Sequence, residues 1–300
     1  MRLPLALLLV AACGSDVPGD DTTSPDAPAS MLPPGYQTLI SQAWTLAPNT
    51  EKYLCVRQTA TTDTYIKSIR PIAPTGSHHA VLMITDNSTV ADGTTDCTSM
   101  LPSPAIYASG VGTNEFDFPD GVGLHIKAGQ QLFLNLHLFN TGEVDLAGTS
   151  GVAIIPTDAA SIQHEAASIL IGAATKAEVP VGLGVQLRFQ CATPANTTVF
   201  AVAPHMHLTG AHLTETYVES GNTNMVLDTD YSFDDQHFRS VTPFTTTAGG
   251  KIQVTCTYNN DGQGANPIPF GESTTQEMCF GMTYVYPPPG VPGCGTEISI

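Results

Sequence analysis

The sequence predicts an all-β protein, built as two tandem antiparallel β-sandwiches of jelly-roll-like architecture. Three observations carry that expectation. Helical periodicity is nearly absent along the 300 residues. Short segments that alternate apolar and polar residues recur instead, as half-buried strands do. Glycine, proline, asparagine and aspartate cluster between them, and the 27 glycines and 23 prolines supply the turns of a many-stranded fold.

The chain opens on "MRLPLALLLVAAC". Arg2 is a short positive region, Leu3–Val10 an apolar run, and Ala11 and Ala12 are the small residues that signal cleavage needs. The run is shorter than the roughly 20 apolar residues of a spanning helix. Ending in "LVAAC", it resembles the lipobox of bacterial lipoproteins, which implies a signal peptide over residues 1–12 and acylation of Cys13. Gly14 stands where an aspartate often marks inner-membrane retention, so the expectation is an exported protein anchored in the cell envelope, at the outer membrane. Residues 13–34, including "GSDVPGDDTTSPDAPAS", have no apolar pattern and read as a disordered tether.

Strand-like segments follow in order. "TYIKSIRPI", "HHAVLMIT", "GVGLHI" and "QQLFLNLHLFN" fall in the first half. "ASILIG", "VQLRFQC", "TTVFAVAPHMH", "HLTETYVE", "KIQVTCTY" and "MCFGMTYVY" fall in the second. The break at "IPTDAAS" (155–161) divides the body into sandwiches over residues 35–157 and 158–300. Charged residues are 12% of the chain and acids outnumber bases 27 to 10. Nucleic acid is therefore not expected as a partner, because phosphate binding needs clustered lysine and arginine. Of seven cysteines, six remain after Cys13, an even number that suggests three disulfides in an exported chain. Six cysteines allow fifteen pairings, and spacing alone does not choose among them.

The nine histidines are unevenly placed. His125, His164, His212 and His237 stand alone and are assigned no role. His205 and His207 in "APHMHLTG" follow an alternating run, and residues i and i+2 of a strand face one side. His78 and His79 are adjacent, so both reach one ion only where the chain bends, as at a strand start after "PTGS". His137 shares a strand face with Phe133, Asn135 and Phe139. The spacing lacks the HExxH of zinc proteases, the nearby glutamate of a cupin and the Cys–His–Met order of blue copper. In "TTQEMCFGMTYVYP", a strand would turn Cys279 to one side and Met278 to the other. A thioether joined to imidazoles favours copper, particularly Cu(I).

The order HH … H … HxH … M resembles the copper type II, ascorbate-dependent monooxygenases, the family of the peptidylglycine α-hydroxylating and dopamine β-monooxygenases. "YLC" (Tyr53–Cys55), "FPDGVGLHI" and "EMC" resemble its motifs, over about Tyr53 to Cys294. The resemblance implies two coppers per chain, one held by His78, His79 and His137, the other by His205, His207 and Met278. It implies Tyr53 beside the first copper, and disulfides Cys55–Cys97, Cys191–Cys294 and Cys256–Cys279. It further implies O2 and ascorbate, or another one-electron donor, as co-substrates. The Met278 copper would activate O2 and the other would deliver the second electron, to hydroxylate a substrate C–H bond.

Three positions depart from the peptide-amidating pattern. Ala203 replaces an arginine that anchors a carboxylate, and Phe280 and Met282 replace an asparagine and a tyrosine. The expected substrate is a small apolar or aromatic molecule. The alternative is a copper-binding lipoprotein of the same fold without turnover, serving storage, sensing or surface assembly.

Overall fold

The computed structural model describes residues 32–298 except 87, 98–104, 173–176, 263, 272, 274 and 291–292. The expected signal peptide, Cys13 and nearly all of the tether lie outside the described residues. Within them the protein is all-β, arranged in several antiparallel sheets, with one short 3-10 turn at Ala159–Ser161.

The first half supplies β1 (Gln37–Leu46), β2 (Thr50–Thr59), β3 (Thr64–Ile72), β4 (Ser77–Thr85), β5 (Gly93–Asp96), β6 (Ala105–Ser109), β7 (Phe116–Asp117), β8 (Val122–Ile126), β9 (Gln131–Asn140) and β10 (Leu146–Thr157). They form two sheets. One runs β5-β2-β9-β4-β6. The other runs β1-β10-β3-β8, with β7 also on β3. Strand β9 lies between β2 and β4 and is buried along almost its whole length, which explains its near-continuous apolar character. Its leucines 132, 134, 136 and 138 face the core, as alternation requires.

The second half supplies β11 (His164–Glu165), β12 (Ala167–Gly172), β13 (Glu178–Val179), β14 (Gly182–Ala192), β15 (Thr198–His205), β16 (Gly210–Glu219), β17 (Asn222–Asp230), β18 (Arg239–Thr245), β19 (Lys251–Asn260), β20 (Ile268–Pro269), β21 (Phe280–Tyr286), β22 (Gly293–Cys294) and β23 (Thr296–Glu297). The main sheets run β18-β15-β21-β12-β22 and β17-β16-β19-β14-β23, with β13 paired to β20. Strand β11 crosses over to pair in parallel with β8 of the first half.

The apolar core does not stop at the boundary between halves. Ile66, Ile69, Leu134 and Leu136 belong to one buried cluster with Phe200, Phe238, Met282 and Tyr284. A second cluster, around Phe189, Ile252, Val254 and Tyr258, fills the second half. On β21 the even-numbered residues face the first half while Gly281 and Thr283 face Glu215, so this strand separates the two interiors. All three implied disulfides are present, Cys55–Cys97, Cys191–Cys294 and Cys256–Cys279, with Cα atoms 5.8, 5.3 and 5.8 Å apart.

Candidate metal centres and the cavity between them

The first histidine set is built on β2, β9 and β4. Register pairs Tyr53 with His137 and His137 with His79, which makes one row across three strands. His78 joins them because the register shifts between Ser77 and His79, the bend that an adjacent pair requires. Ring centroids lie 4.6 Å apart for His78 and His137, and 4.8 Å for His79 and His137. One nitrogen from each of the three falls within 4.8 Å of the others. Tyr53 stacks flat on His137 at 4.2 Å.

The protonation pattern of this set suits a cation. His137 donates through Nε2 to Glu51 Oε1 at 2.5 Å, so its Nδ1 carries the lone pair. That Nδ1 is buried with no hydrogen-bond partner. The Nδ1 atoms of His78 and His79 approach to 3.2 Å. Burial, and then the neighbouring imidazoles, push His78 down to about 3 and His79 well below the ordinary imidazole value. These rings are neutral at pH 7 and ready to donate electron pairs.

The second set sits where β15 ends. The expected strand geometry holds for His205 only. His207 lies beyond the strand, placed by the turn that follows rather than by i, i+2 alternation. The two rings are 5.2 Å apart and nearly perpendicular. His205 Nδ1 pairs with Gln236 Oε1 at 2.7 Å, and the amide is oriented by Gln236 Nε2 donating to the Phe233 carbonyl at 2.8 Å. His207 Nδ1 donates to the Gln276 carbonyl at 3.0 Å. Both Nδ1 atoms therefore carry the proton, and both Nε2 atoms are left as lone pairs. Burial lowers both imidazoles, His205 to about 4.

Met278 also precedes its strand, since β21 begins at Phe280. Its place is fixed from β19. Tyr258 donates its hydroxyl to the Met278 carbonyl at 2.7 Å, and Cys256 ties the adjacent Cys279. Cys279 thus turns into the core while Met278 lines the site, although neither residue lies in a strand, the geometry on which the sequence expectation depended.

Both sets border a single cavity of about 230 Å³. His78 and His79 approach from the first half, and His205, His207 and Met278 from the second. Ala203, Phe280 and Met282, the three departures noted in the sequence, all line it. No lysine, arginine, aspartate or glutamate does, among the described residues.

Three supporting residues were missed by sequence reasoning: Glu51, Gln236 and Glu277. Glu277 was visible as the first letter of "EMC", but its buried position was not. Gln236 carries no local signal at all. The four single histidines take ordinary partners. His125 meets Glu165 at 2.8 Å, His212 meets Asp228 and Asp230, His237 meets Asp235, and His164 stacks on Tyr286.

Residues 166–299 match the model of the copper type II ascorbate-dependent monooxygenase, C-terminal domain. The match supports that family. A monooxygenase of this family depends on copper and ascorbate, takes O2 and a small molecule, and is an oxidoreductase. The matched segment contains His205, His207 and Met278. The cluster of His78, His79 and His137, which could hold a metal, lies before it.

Proposed function

We propose that this chain is a dicopper monooxygenase that hydroxylates a C–H bond of a small apolar or aromatic molecule, using O2 and a one-electron donor such as ascorbate. One observation carries the reading: two preorganised ligand sets open onto the same apolar cavity. His78, His79 and His137 would hold one copper, and His205, His207 and Met278 the other. Bound copper supplies the one-electron redox steps and the activation of dioxygen.

The chain's own residues supply the rest. Glu51, Gln236 and the Gln276 carbonyl hold protons on the far nitrogens of His137, His205 and His207, and so aim the opposite lone pairs. The Met278 thioether favours Cu(I) at the site nearest the apolar wall. Phe280, Met282 and Ala203 exclude water from the space where a C–H bond would sit. Tyr53 packs against His137 and limits its rotation.

The wider reading includes two jelly-roll-like sandwiches over residues 35–157 and 158–300, export, lipidation at Cys13, and attachment to the outer membrane. The cavity favours catalysis over a storage or sensing role, because a store has no use for a substrate-sized space beside its metal. Elemental analysis tests the ligand sets and should give two coppers per chain; one or none sinks the dicopper reading. Ascorbate-dependent oxygen uptake should match hydroxylated product mole for mole. Full copper loading with no oxygen uptake across a panel of small apolar compounds would favour the non-catalytic alternative.

A further inference from the structure

Strand register builds the cavity from two facing walls. On one wall Met282 pairs with both Ala203 and Leu170, which places these three in one row across β15, β21 and β12. On the other wall Val81 pairs with Ala108, across β4 and β6. The next row of the first wall, Ser168 and Tyr284, is fastened to the second. Tyr284 donates its hydroxyl to the Ile106 carbonyl at 2.8 Å, and Ser168 donates to the Ala105 carbonyl. The far end is therefore closed, and the near end is the row of His205 and Phe280. Four residue steps along the strand take Phe280 to Tyr284, about 13 Å at 3.3 Å per residue.

The chemistry of these walls is one-sided. Apart from the histidines, Ser109 and Gln236 are the polar side chains on the lining, and Gln236 already serves His205 and the Phe233 carbonyl. No charged side chain lines this space among the described residues, so an ionised substrate group would lose its hydration with no protein side chain of opposite charge to pair with it. An apolar cavity of about 150 Å³ holds a benzene molecule, so about 230 Å³ accepts one ring with a short tail. That space exists because positions 105, 108 and 203 are all alanine.

Resting on the monooxygenase reading above, we propose that the substrate is uncharged and no larger than a single ring with a short tail. Ala108 and Leu170 are the residues that set its size. Ala108 leaves room on one wall, and Leu170 limits depth on the other.

The test is calorimetric titration of the copper-loaded full chain under anaerobic reducing conditions. The probes are 2-phenylethanol, phenylacetate and 2-phenylethylammonium, which share a ring and differ in charge. The neutral alcohol should bind at least tenfold more tightly than either ion. Ala108→Phe should weaken it tenfold or more, with Ala108→Leu as a milder variant should the first not fold. Leu170→Ala should gain affinity for 2-(2-naphthyl)ethanol, a fused-ring probe that the wild type should reject. Equal binding of the ions, or unchanged affinity in both Ala108 variants, overturns the proposal. Copper content measured on the same samples separates the two readings. Two coppers with no binding of the neutral probe overturns this inference alone, and size-selective binding by a chain that takes no copper overturns the monooxygenase reading alone.

Discussion

Glu277 reaches across 70 residues of sequence to accept the backbone N–H of His207 at 2.8 Å. The same buried carboxylate accepts the Thr209 N–H at 2.7 Å and its hydroxyl at 2.8 Å. Met278 is the next residue, and its own N–H points to Glu277 at 3.3 Å. One side chain thus ties the methionine and the second histidine of the His-x-His pair into a single unit.

Glu277→Ala should therefore disturb two ligands at once. Four donors would lose their acceptor, and those of His207 and Met278 are buried, at about 1–3 kcal/mol for each buried one, so a marked fall in melting temperature is expected. Copper content should drop from two per chain to one. Calorimetry and elemental analysis check this; a variant that keeps both coppers and its melting temperature would contradict the assigned role.

Glu51→Ala should act on the other set alone. With His137 freed from its carboxylate, affinity of the three-histidine site should fall about 10–100-fold, the usual loss when a ligand's outer partner is removed. Competition with a Cu(I) chelator should show one weakened site and one unchanged.

Met278→Ile keeps the volume and removes the sulfur. Cu(I) retention at the second site should drop because the soft thioether ligand is lost, with ascorbate-dependent oxygen uptake falling to background and the fold intact. Hydroxylation at the wild-type rate would show that the oxygen-activating site lies elsewhere.

Glu215 should make stability fall as pH rises. It points from β16 into the core of the second half, where Thr283 Oγ1 lies 3.2 Å from each carboxylate oxygen and a Cβ at Gly281 would collide with it. Burial pushes its carboxyl up to about 8 from an ordinary value near 4.5. Between those values the folded chain keeps a proton that the unfolded chain has released, so the native state loses ground with each unit of pH. The contribution is fully present below about pH 4.5 and is lost as pH rises through about 8, on the order of 5 kcal/mol in all. Glu215→Gln should flatten that slope and raise the melting temperature at pH 8. Denaturant titrations of both proteins from pH 5 to 9 would detect it, and parallel curves would refute it.

Much of the framework was legible because its signals are local. Period-two runs such as "TYIKSIRPI" and "QQLFLNLHLFN" became β3 and β9, since an alternating strand announces its own buried face. The six proposed ligands stood out by residue type and order. Strands without such a pattern were missed. In β17, "NTNMVLDTD" is an exposed edge rich in asparagine and aspartate, and its pairing with β16 replaces the missing propensity.

Sequence by itself determined the all-β class, the six residues proposed as copper ligands and the lack of charge in the segments that meet around them. Tertiary structure decided how those residues are aimed. The bulge at His78, the departure of His207 from its strand, and the partnering of His137 by Glu51 and of His205 by Gln236 all depend on chain segments that meet only on folding. A polar side chain acquires a role from what packs against it, and that neighbour lies 31 residues away for His205 and 86 for His137. The same holds for the cavity, whose walls come from opposite halves and are joined by Tyr284 and Ile106, 178 residues apart.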